Sequence, residues 1–210
     1  MDGVIFDTEK FYQKYWIKSA KEFGFEMKPE TVLTIRSLTS VLAEKYLKSV
    51  FGETFDYFSI RNRRRELMTY DLDEENLPLK TGILSLLKFC NENNIKTAVS
   101  TATMQSVAER YLKNSNLIDY FDVVIGGDSI EKGKPFPDIY ILASKALNLP
   151  PESCIAIEDS PNGILSAFYA GCNPVMVPDL SQPDEMLKPF LKAVVPTLED
   201  VISLIKKYND

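Results

Sequence analysis

The sequence predicts an α/β protein whose parallel sheet is interrupted by an inserted block of helices. From residue 78 onward, short apolar runs alternate with stretches of helical periodicity, a pattern typical of right-handed βαβ units. The runs are apolar almost throughout, as expected of parallel strands that are covered on both faces. Residues 9–77, in contrast, have helical spacing and no strand pattern.

The helical block begins with a stretch whose apolar side chains recur at helical spacing and stop before Gly24. A short helix is expected from Pro29, another up to Gly52, and a long one across residues 54–72. We therefore predict a core formed by residues 1–8 and 78–210, with a helical insertion at residues 9–77. Because the chain enters and leaves the insertion at one edge, the insertion can move as a hinged cap.

The core is expected to contain a regular series of strands and helices. Strands are predicted at residues 96–100, 122–125, 154–157, 174–177 and 193–195. Helices are predicted at residues 81–90, 104–114, 137–148, 161–171 and 198–208. Ligands of open α/β sheets bind beyond the carboxyl ends of the strands, so polar residues directly after each strand are the candidates for a site.

Composition restricts the class of protein. Of the 210 residues, 45% are hydrophobic and 26% are charged, which is typical of an ordinary soluble globular protein. The net charge of −6 argues against a general nucleic-acid binder. A local cluster contains Arg61, Arg63, Arg64 and Arg65. We interpret it as a solvated helix face, with a phosphate-attracting patch as the alternative.

Missing residue types exclude several chemistries. The chain has no histidine, which excludes Ser-His and Cys-His catalysis and histidine ligation of a metal. Its three cysteines lie far apart in apolar surroundings and are expected to be buried thiols. No apolar run is long enough to span a bilayer, and the N-terminus does not resemble a secretion signal. We therefore expect a cytoplasmic protein without membrane or nucleic-acid partners, either a monomer or a weak homodimer.

Four fragments place reactive side chains at predicted strand ends. The opening segment supplies Asp2, and the later fragments are Ser100-Thr101, Lys134-Pro135 and Glu158-Asp159. Two adjacent acids at a strand end repel each other and need a cation, whereas the next residue, Ser160, is explained as a helix N-cap. A hydroxyl, a lysine and paired carboxylates are the groups needed to transfer a phosphoryl group with a metal ion.

In this order and spacing, the fragments resemble the haloacid dehalogenase phosphohydrolase superfamily, and in particular its β-phosphoglucomutase-like branch. Residues 2–8 are similar to the end of the family motif Asp-x-Asp-Gly-Val-x-x-Asp-Thr, and residues 134–138 to its lysine motif. The resemblance covers essentially the whole chain and implies a Rossmann-like core with a helical cap. It also implies that the nucleophilic aspartate lies directly before Met1, so we expect the 210-residue chain by itself to be inactive.

The resemblance implies a role for each matching core residue. Asp2 would act as general acid and base, and its backbone carbonyl would contact a Mg²⁺ ion. The hydroxyl of Thr101 and the backbone at Ala102 would hold the transferring phosphoryl group. Lys134 would neutralise the charge of the nucleophile and the phosphate. Thr103 we interpret as the N-cap of the following helix.

The remaining predicted contacts are the metal ligands and the cap residues. Glu158 and Asp159 would bind Mg²⁺, which prefers hard oxygen ligands. Tyr12, Trp16 and Arg36 of the cap are the expected contacts with the substrate. The alternative for the two aromatic side chains is a place in the apolar core.

The leading interpretation is a Mg²⁺-dependent phosphatase of a small phosphorylated metabolite, such as a sugar phosphate. A phosphosugar mutase is the alternative, although true β-phosphoglucomutases carry a cap histidine near the position that Tyr12 occupies here. A third possibility is a non-catalytic module that binds phosphate ligands. The complete set of strand-end groups favours an enzyme, because a module freed from catalysis has no chemical need for all of them.

Overall fold

The computed structural model describes residues 1–36, 38–71 and 77–209, and it confirms the α/β class with parallel sheets. The strands lie close to their predicted positions. They are β1 (Ala98–Ser100), β2 (Val123–Ile125), β3 (Ile155–Glu158), β4 (Asn173–Met176) and β5 (Ala193–Val194). Among the described residues, no helix is long and apolar enough to cross a membrane.

The helices of the predicted insertion are α1 (Glu9–Glu22), α2 (Pro29–Ile35), α3 (Ser40–Phe51) and α4 (Tyr57–Asp71). The N-terminus of α4 is fixed by Asp56, whose carboxylate accepts a hydrogen bond from the backbone N–H of Ser59 at 3.0 Å. The predicted end of this helix at residue 72 lies outside the described residues, which resume at Leu77, next to the predicted return to the core at residue 78.

The helices of the predicted core are α5 (Ile83–Glu92), α6 (Gln105–Asn114), α7 (Asp138–Ala146), α8 (Pro161–Tyr169) and α9 (Leu198–Asn209). Helices α5 and α9 pack together around an apolar cluster that includes Phe6, Leu112 and Val175. A separate cluster, centred on Leu47 and Phe55, lies within α1–α4 and their connecting loops. The helical block therefore has an apolar core of its own, while the chain boundaries that we assign to it stay a prediction.

The strands form two sheets rather than the single sheet that the sequence predicts. Strand β1 pairs with β2, and β3, β4 and β5 pair in that order, all in parallel. A cavity of about 690 Å³ lies between β1 and β3, and side chains of α5 and α7 also line it. Strand order is a tertiary property, so local sequence patterns do not reveal this separation.

Residues 1–6 form a compact turn. The backbone carbonyl of Met1 accepts hydrogen bonds from the N–H groups of Ile5 at 2.7 Å and Phe6 at 3.2 Å. Phe6 forms isolated bridges to Asp2 and to Leu79. Met1 and Ile5 line the cavity between the sheets, so the turn holds Asp2 beside that cavity.

Two expectations about side-chain burial have opposite outcomes. Cys90 and Cys172 are buried free thiols, as predicted, whereas Cys154 is a free thiol that is only partly buried. The interpretation of the arginine cluster as a solvated face is wrong for Arg64, which is only 8% exposed. Packing of α4 against α1 covers this side chain, whereas the side chain of Arg63 is 38% exposed.

Candidate active site

Lys134 joins the carboxyl ends of the two sheets. Its ammonium group donates a hydrogen bond to the backbone carbonyl of Ser100, at the end of β1, at 3.3 Å. It donates another to the carboxylate of Glu158, at the end of β3. The hydroxyl of Tyr140 on α7 donates to the same carboxylate. A buried lysine therefore links the two sheets at the edge where the predicted site lies.

The partners of Glu158 keep this buried carboxylate charged. Burial alone would raise the pKa of Glu158, but the charges of the Lys134 ammonium and of the N-terminal amino group of Met1, together with the hydrogen bonds, outweigh it, so the pKa is lowered. Gly163 in the first turn of α8 provides the space, since a Cβ atom there would overlap the carboxylate. The hydroxyl of Ser160 accepts a hydrogen bond from the backbone N–H of Gly163 at 3.1 Å, which makes Ser160 the predicted N-cap.

Asp2 accepts hydrogen bonds from two hydroxyl groups. Thr8 donates to Oδ1 at 2.8 Å, and Thr103 donates to Oδ2 at 3.3 Å. The hydroxyl of Thr101, which is 3% exposed, accepts a hydrogen bond from the backbone N–H of Thr103 at 3.2 Å. The segment after β1 and the opening turn are thus connected through Asp2.

The start of α6 differs from the prediction. The side chain of Thr103 does not cap the helix, because its hydroxyl is used at the site. The helix N-terminus is instead bound by Asp128, whose carboxylate accepts a hydrogen bond from the backbone N–H of Gln105 at 2.7 Å. Ala102 is exposed, and its backbone packs closely against Gly127.

Asp159 lies between the opening turn and the helical block. Its carboxylate packs against Gly3, where φ is +72° and a Cβ atom would overlap it. The Nη1 atom of Arg36 lies 3.1 Å from Asp159 Oδ2, and Nη2 donates to the backbone carbonyl of Asp159 at 2.7 Å. Nη1 and Oδ2 are not aligned for a hydrogen bond, so both remain without a partner of that kind. Burial raises the pKa of Asp159 to about 6, against the opposing charge of Arg36.

Two further acids lie near Asp159. Glu9 is 8% exposed, and its pKa is raised to about 8 by burial and then by the charge of Asp159, with Arg36 opposing. Asp179 is 3.2 Å from the ammonium of Lys80, and one of its carboxylate oxygens is buried without a hydrogen-bond partner. The carboxylates of Asp159, Glu9 and Asp179 therefore lie in one region of the site, where few positive charges balance them.

These acids fit a hard divalent cation in charge and in ligand type. Oδ2 of Asp159 and Oδ2 of Asp179 are buried and lack hydrogen-bond partners, and the pKa of Glu9 is raised by burial and then by the charge of Asp159. In the described ranges, however, no three His, Cys, Asp or Glu side chains are arranged to hold a metal ion. Arg36 and Lys134 supply the positive charge in this conformation.

Tyr12 and Trp16, the two aromatic residues predicted to contact the substrate, lie in different surroundings. Tyr12 is partly buried beside the site, and its pKa is raised well above its usual range by burial and then by the charge of Asp2. Trp16 belongs to the apolar cluster of α1–α4 and packs on Tyr57, with ring centroids 5.7 Å apart. Of the predicted cap contacts, Tyr12 and Arg36 are near the acids, whereas Trp16 is part of the helical core.

Four residues at the site are absent from the sequence prediction. Asp179 follows β4 closely, so its position near a strand end is a signal that could find it. Thr8 and Glu9 directly follow the opening motif, and their nearness to Asp2 in the chain is a signal that could find them. Tyr140 carries no such signal, because an aromatic residue on an amphipathic helix is typical of ordinary core packing. Its contact with Glu158 depends on how α7 packs beside β3.

Known sequences related to this chain include several phosphatases. The model of the haloacid dehalogenase-like hydrolases matches residues 1–177. A phosphorylated carbohydrates phosphatase of Thermotoga maritima is 30% identical over 211 residues, which cover 99% of this chain and 96% of that protein. A fructose-1-phosphate phosphatase of Escherichia coli is 27% identical over 179 residues, which cover 84% of this chain and 93% of that protein.

Solved structures have the same fold. A β-phosphoglucomutase from Clostridium difficile superposes with a TM-score of 0.80 at 24% identity, covering 99% of this chain and 94% of that chain. A putative β-phosphoglucomutase from Thermotoga maritima has a TM-score of 0.73 at 28% identity, with 99% and 96% covered. The predicted enzyme class, a hydrolase among phosphatases, is confirmed. The chain therefore belongs to the haloacid dehalogenase-like hydrolase family.

Proposed function

We propose that the protein is a Mg²⁺-dependent phosphohydrolase of small phosphorylated metabolites, with sugar phosphates as the main class. The observation that carries the proposal is the position of Lys134, which joins the ends of β1 and β3 within the group of residues that includes Asp2 and Asp159. A lysine there supplies the positive charge that a phosphate dianion needs among carboxylates. Relatives named as phosphatases of phosphorylated carbohydrates support the substrate class.

Asp2 is the proton donor and acceptor in the proposed reaction. The hydroxyls of Thr8 and Thr103 contact its two oxygens and fix the orientation of the carboxyl group. In this orientation Asp2 would protonate the leaving alcohol and then take a proton from the attacking water.

The other groups would hold the phosphate in position and balance its charge. The hydroxyl of Thr101 and the backbone at Ala102 would hold the phosphoryl oxygens, while Lys134 would balance their charge. Bound Mg²⁺ would supply further positive charge and orient the phosphate. Asp159, Glu158 and the backbone carbonyl of Asp2 are the groups that would hold the ion.

We further propose that an extended segment in the cavity between β1 and β3 delivers the nucleophile. The facing edges of these strands form no ladder with each other, and side chains from both strands line the cavity. An apolar segment parallel to both strands would pair with the two edges and end beside Asp2, because Met1 also lines the cavity. An aspartate at that end would form an aspartyl-phosphate, which splits one difficult step into two easier ones.

Helices α1–α4 would act as a cap that closes over this site, with residues 9–77 moving against residues 1–8 and 78–210. The contact of Arg36 with Asp159 supports such closure, as does the hydrogen bond from Asn162 to the backbone carbonyl of Arg36 at 3.2 Å. Arg36 and Tyr12 are the proposed cap contacts with the substrate. The cytoplasmic location and the monomeric or weakly dimeric state stay predictions.

The proposed activity is tested with an extended chain, in which an apolar strand ending in aspartate directly precedes Met1. With Mg²⁺, this chain should release inorganic phosphate from fructose 1-phosphate and related sugar phosphates, and EDTA should stop the release. Lys134→Met should lower kcat/KM by about 10²–10³-fold, the effect of losing one charge-stabilising group. Lys132→Met, an exposed lysine in the same loop, is the matched control. A folded extended chain that releases no phosphate from any sugar phosphate contradicts the proposal.

Product analysis distinguishes the phosphatase from the mutase. With a hexose 1-phosphate as substrate, a phosphatase yields free hexose and inorganic phosphate, whereas a mutase yields the 6-phosphate isomer. We expect free hexose, because the cap offers Tyr12 and no histidine to transfer the proton between sugar and enzyme. Accumulation of the 6-phosphate would establish the mutase instead.

A further inference from the structure

The loop after β1 contains the groups to which we assign the transferring phosphoryl group. This β1 loop, residues 101–104, leads directly into α6, and the side chain of its N-cap residue, Met104, does not cap the helix. Among the described residues, none accepts a hydrogen bond from the backbone N–H of Ala102 or of Met104, so both groups are open to a ligand. The loop is held instead by the β2 loop, residues 126–129, which directly follows β2.

Three hydrogen bonds connect the β2 loop to the β1 loop and to the start of α6. The backbone carbonyl of Thr103 accepts one from the N–H of Gly127 at 2.9 Å. The carboxylate of Asp128 accepts one from the backbone N–H of Gln105 at 2.7 Å. The hydroxyl of Ser129 donates one to the side-chain carbonyl of Gln105 at 3.1 Å. The β2 loop thus fixes both the end of the β1 loop and the first residue of the helix.

The backbones of the two loops are also in close contact. A Cβ atom at Gly126 would lie 2.2 Å from the backbone nitrogen of Gln105, and one at Gly127 would lie 2.5 Å from the carbonyl oxygen of Ala102. There is no space for a side chain at either position. Because packed groups cannot move independently, a shift of the β2 loop would also move the β1 loop.

Thr103 links the β2 loop to the proposed reacting groups. Its hydroxyl donates a hydrogen bond to Asp2 at 3.3 Å, and its backbone N–H donates one to the hydroxyl of Thr101 at 3.2 Å. The proposed proton donor and the proposed phosphate-binding hydroxyl therefore both depend on where the β2 loop holds Thr103.

Asp128 provides the charged contact between the loops. A hydrogen bond to a carboxylate is stronger than one between neutral groups, and an anion is favourable beside the first N–H groups of a helix. Asp128 is exposed, so its contribution comes from this contact rather than from burial in the core.

We propose that Asp128 is a positioning residue of the phosphatase reaction. It holds the β1 loop so that the hydroxyl of Thr101 and the N–H of Ala102 meet the transferring phosphoryl group. Donors that are already in place need no rearrangement when charge develops, so loosening the loop should slow the reaction. This inference rests on the proposed function and adds a residue that acts through the loop.

Asp122 offers a matched control for this role. Its carboxylate accepts a hydrogen bond from the backbone N–H of Thr97 at 2.8 Å, and Asp122 is also exposed. Thr97 precedes β1, so this contact lies at the opposite end of the β1–β2 pair from the proposed site. Asp122→Ala therefore removes a contact of the same kind and leaves the β1 loop unchanged.

The test compares Asp128→Ala, Asp128→Asn and Asp122→Ala in the extended chain. The values of kcat and KM are measured with fructose 1-phosphate and Mg²⁺, and urea titrations give the unfolding midpoint of each variant. Asp128→Asn keeps a side-chain oxygen that can accept the hydrogen bond from Gln105. Circular dichroism confirms that each variant is folded.

We expect Asp128→Ala to lower kcat/KM by about 10–10²-fold, as a misplaced group would. Most of the loss should be in kcat, because the loop acts on charge that develops in the transition state. Asp128→Asn should stay within about threefold of the wild type, since a neutral acceptor is weaker but still present. Asp122→Ala should lower the urea midpoint and keep the wild-type kcat and KM.

Three results overturn the inference alone: wild-type kcat/KM in folded Asp128→Ala, no recovery in Asp128→Asn, or an equal loss of kcat/KM in Asp122→Ala. A wild-type extended chain that releases no phosphate from fructose 1-phosphate or any other sugar phosphate overturns the proposed function as well.

Discussion

The guanidinium of Arg36 and the carboxylate of Asp159 face each other at 3.1 Å, although 123 residues separate them in the chain. The contact joins the loop after α2 to Asp159, the residue that directly follows β3. Arg36 also donates a hydrogen bond to Ser181 at 3.0 Å. The guanidinium of Arg36 therefore lies beside the carboxylate of Asp159, to which we assign Mg²⁺ binding.

Arg36→Ala is expected to strengthen Mg²⁺ binding. Arg36 and the metal ion would compete for the same carboxylate, so removal of the guanidinium leaves Asp159 free for the ion. We expect the Mg²⁺ Kd, measured by titration calorimetry, to fall by about tenfold, the effect of one competing charge-assisted contact. Arg63→Ala, on the cap surface, should leave the Kd unchanged. Weaker Mg²⁺ binding by Arg36→Ala contradicts the competition.

Asp159→Asn is expected to weaken Mg²⁺ binding much more than it weakens folding. The substitution removes an anionic metal ligand, but it also relieves the repulsion of Asp159 with Glu158 and Glu9. The Mg²⁺ Kd should rise by at least about tenfold. The free energy of unfolding in EDTA, measured by urea titration, should change by about 1 kcal/mol or less. An unchanged Kd argues against the metal role of Asp159.

Glu9 should make the metal-free protein less stable as pH rises. In the fold its pKa is about 8, against 4.5 for an ordinary glutamate. Between these pH values the folded state holds a proton that the unfolded chain has released, so the free energy of unfolding falls with increasing pH. The total loss should be a few kcal/mol, and it should level off above about pH 8.

Urea titrations of the metal-free protein from pH 5 to 9 measure this effect. Glu9→Gln should flatten the decline, because glutamine carries no proton to release. The exposed residue Glu26 provides the control, and Glu26→Gln should keep the wild-type slope. Parallel pH curves for the wild type and Glu9→Gln would show that Glu9 is not the group responsible.

Gly163→Ala should destabilise the protein although alanine is the better helix former. A Cβ atom at this position would overlap the carboxylate of Glu158, which would have to move away from Lys134 and Tyr140. We expect a loss of about 1–3 kcal/mol in the free energy of unfolding, larger than the ~1 kcal/mol gain in helix propensity. Lys145→Ala at an exposed position of α7 is the control. A stabilised Gly163→Ala variant would contradict the tight packing of Glu158.

The secondary structure of this chain follows from local patterns, and its sheet organisation does not. Apolar runs before Thr101 and Asp159 mark β1 and β3 to within a few residues, because buried parallel strands need apolar side chains on both faces. The same runs carry no information about which strands are neighbours. The separation of β1 from β3 by a cavity therefore appears only in three dimensions.

The candidate site is predictable where its residues follow strands, and less so where helices contribute. Lys134 and Glu158 meet because both lie at the carboxyl edge, which the strand pattern defines. The burial of Arg64 depends on α1 covering α4, so a window of sequence around residue 64 suggests only a charged surface. The approach of Arg36 to Asp159 depends in the same way on how the cap packs on the core.

The most direct test of the account compares the 210-residue chain with the extended chain in the hydrolysis of para-nitrophenyl phosphate. The account assigns the nucleophile to the end of a segment in the cavity between β1 and β3, with Asp2 limited to proton transfer. The extended chain should therefore show Mg²⁺-dependent turnover, and replacing its added aspartate by asparagine should abolish it. The 210-residue chain should show little or none. Robust Mg²⁺-dependent turnover by the 210-residue chain, with its mass verified, would contradict the account of both the cavity and the nucleophile.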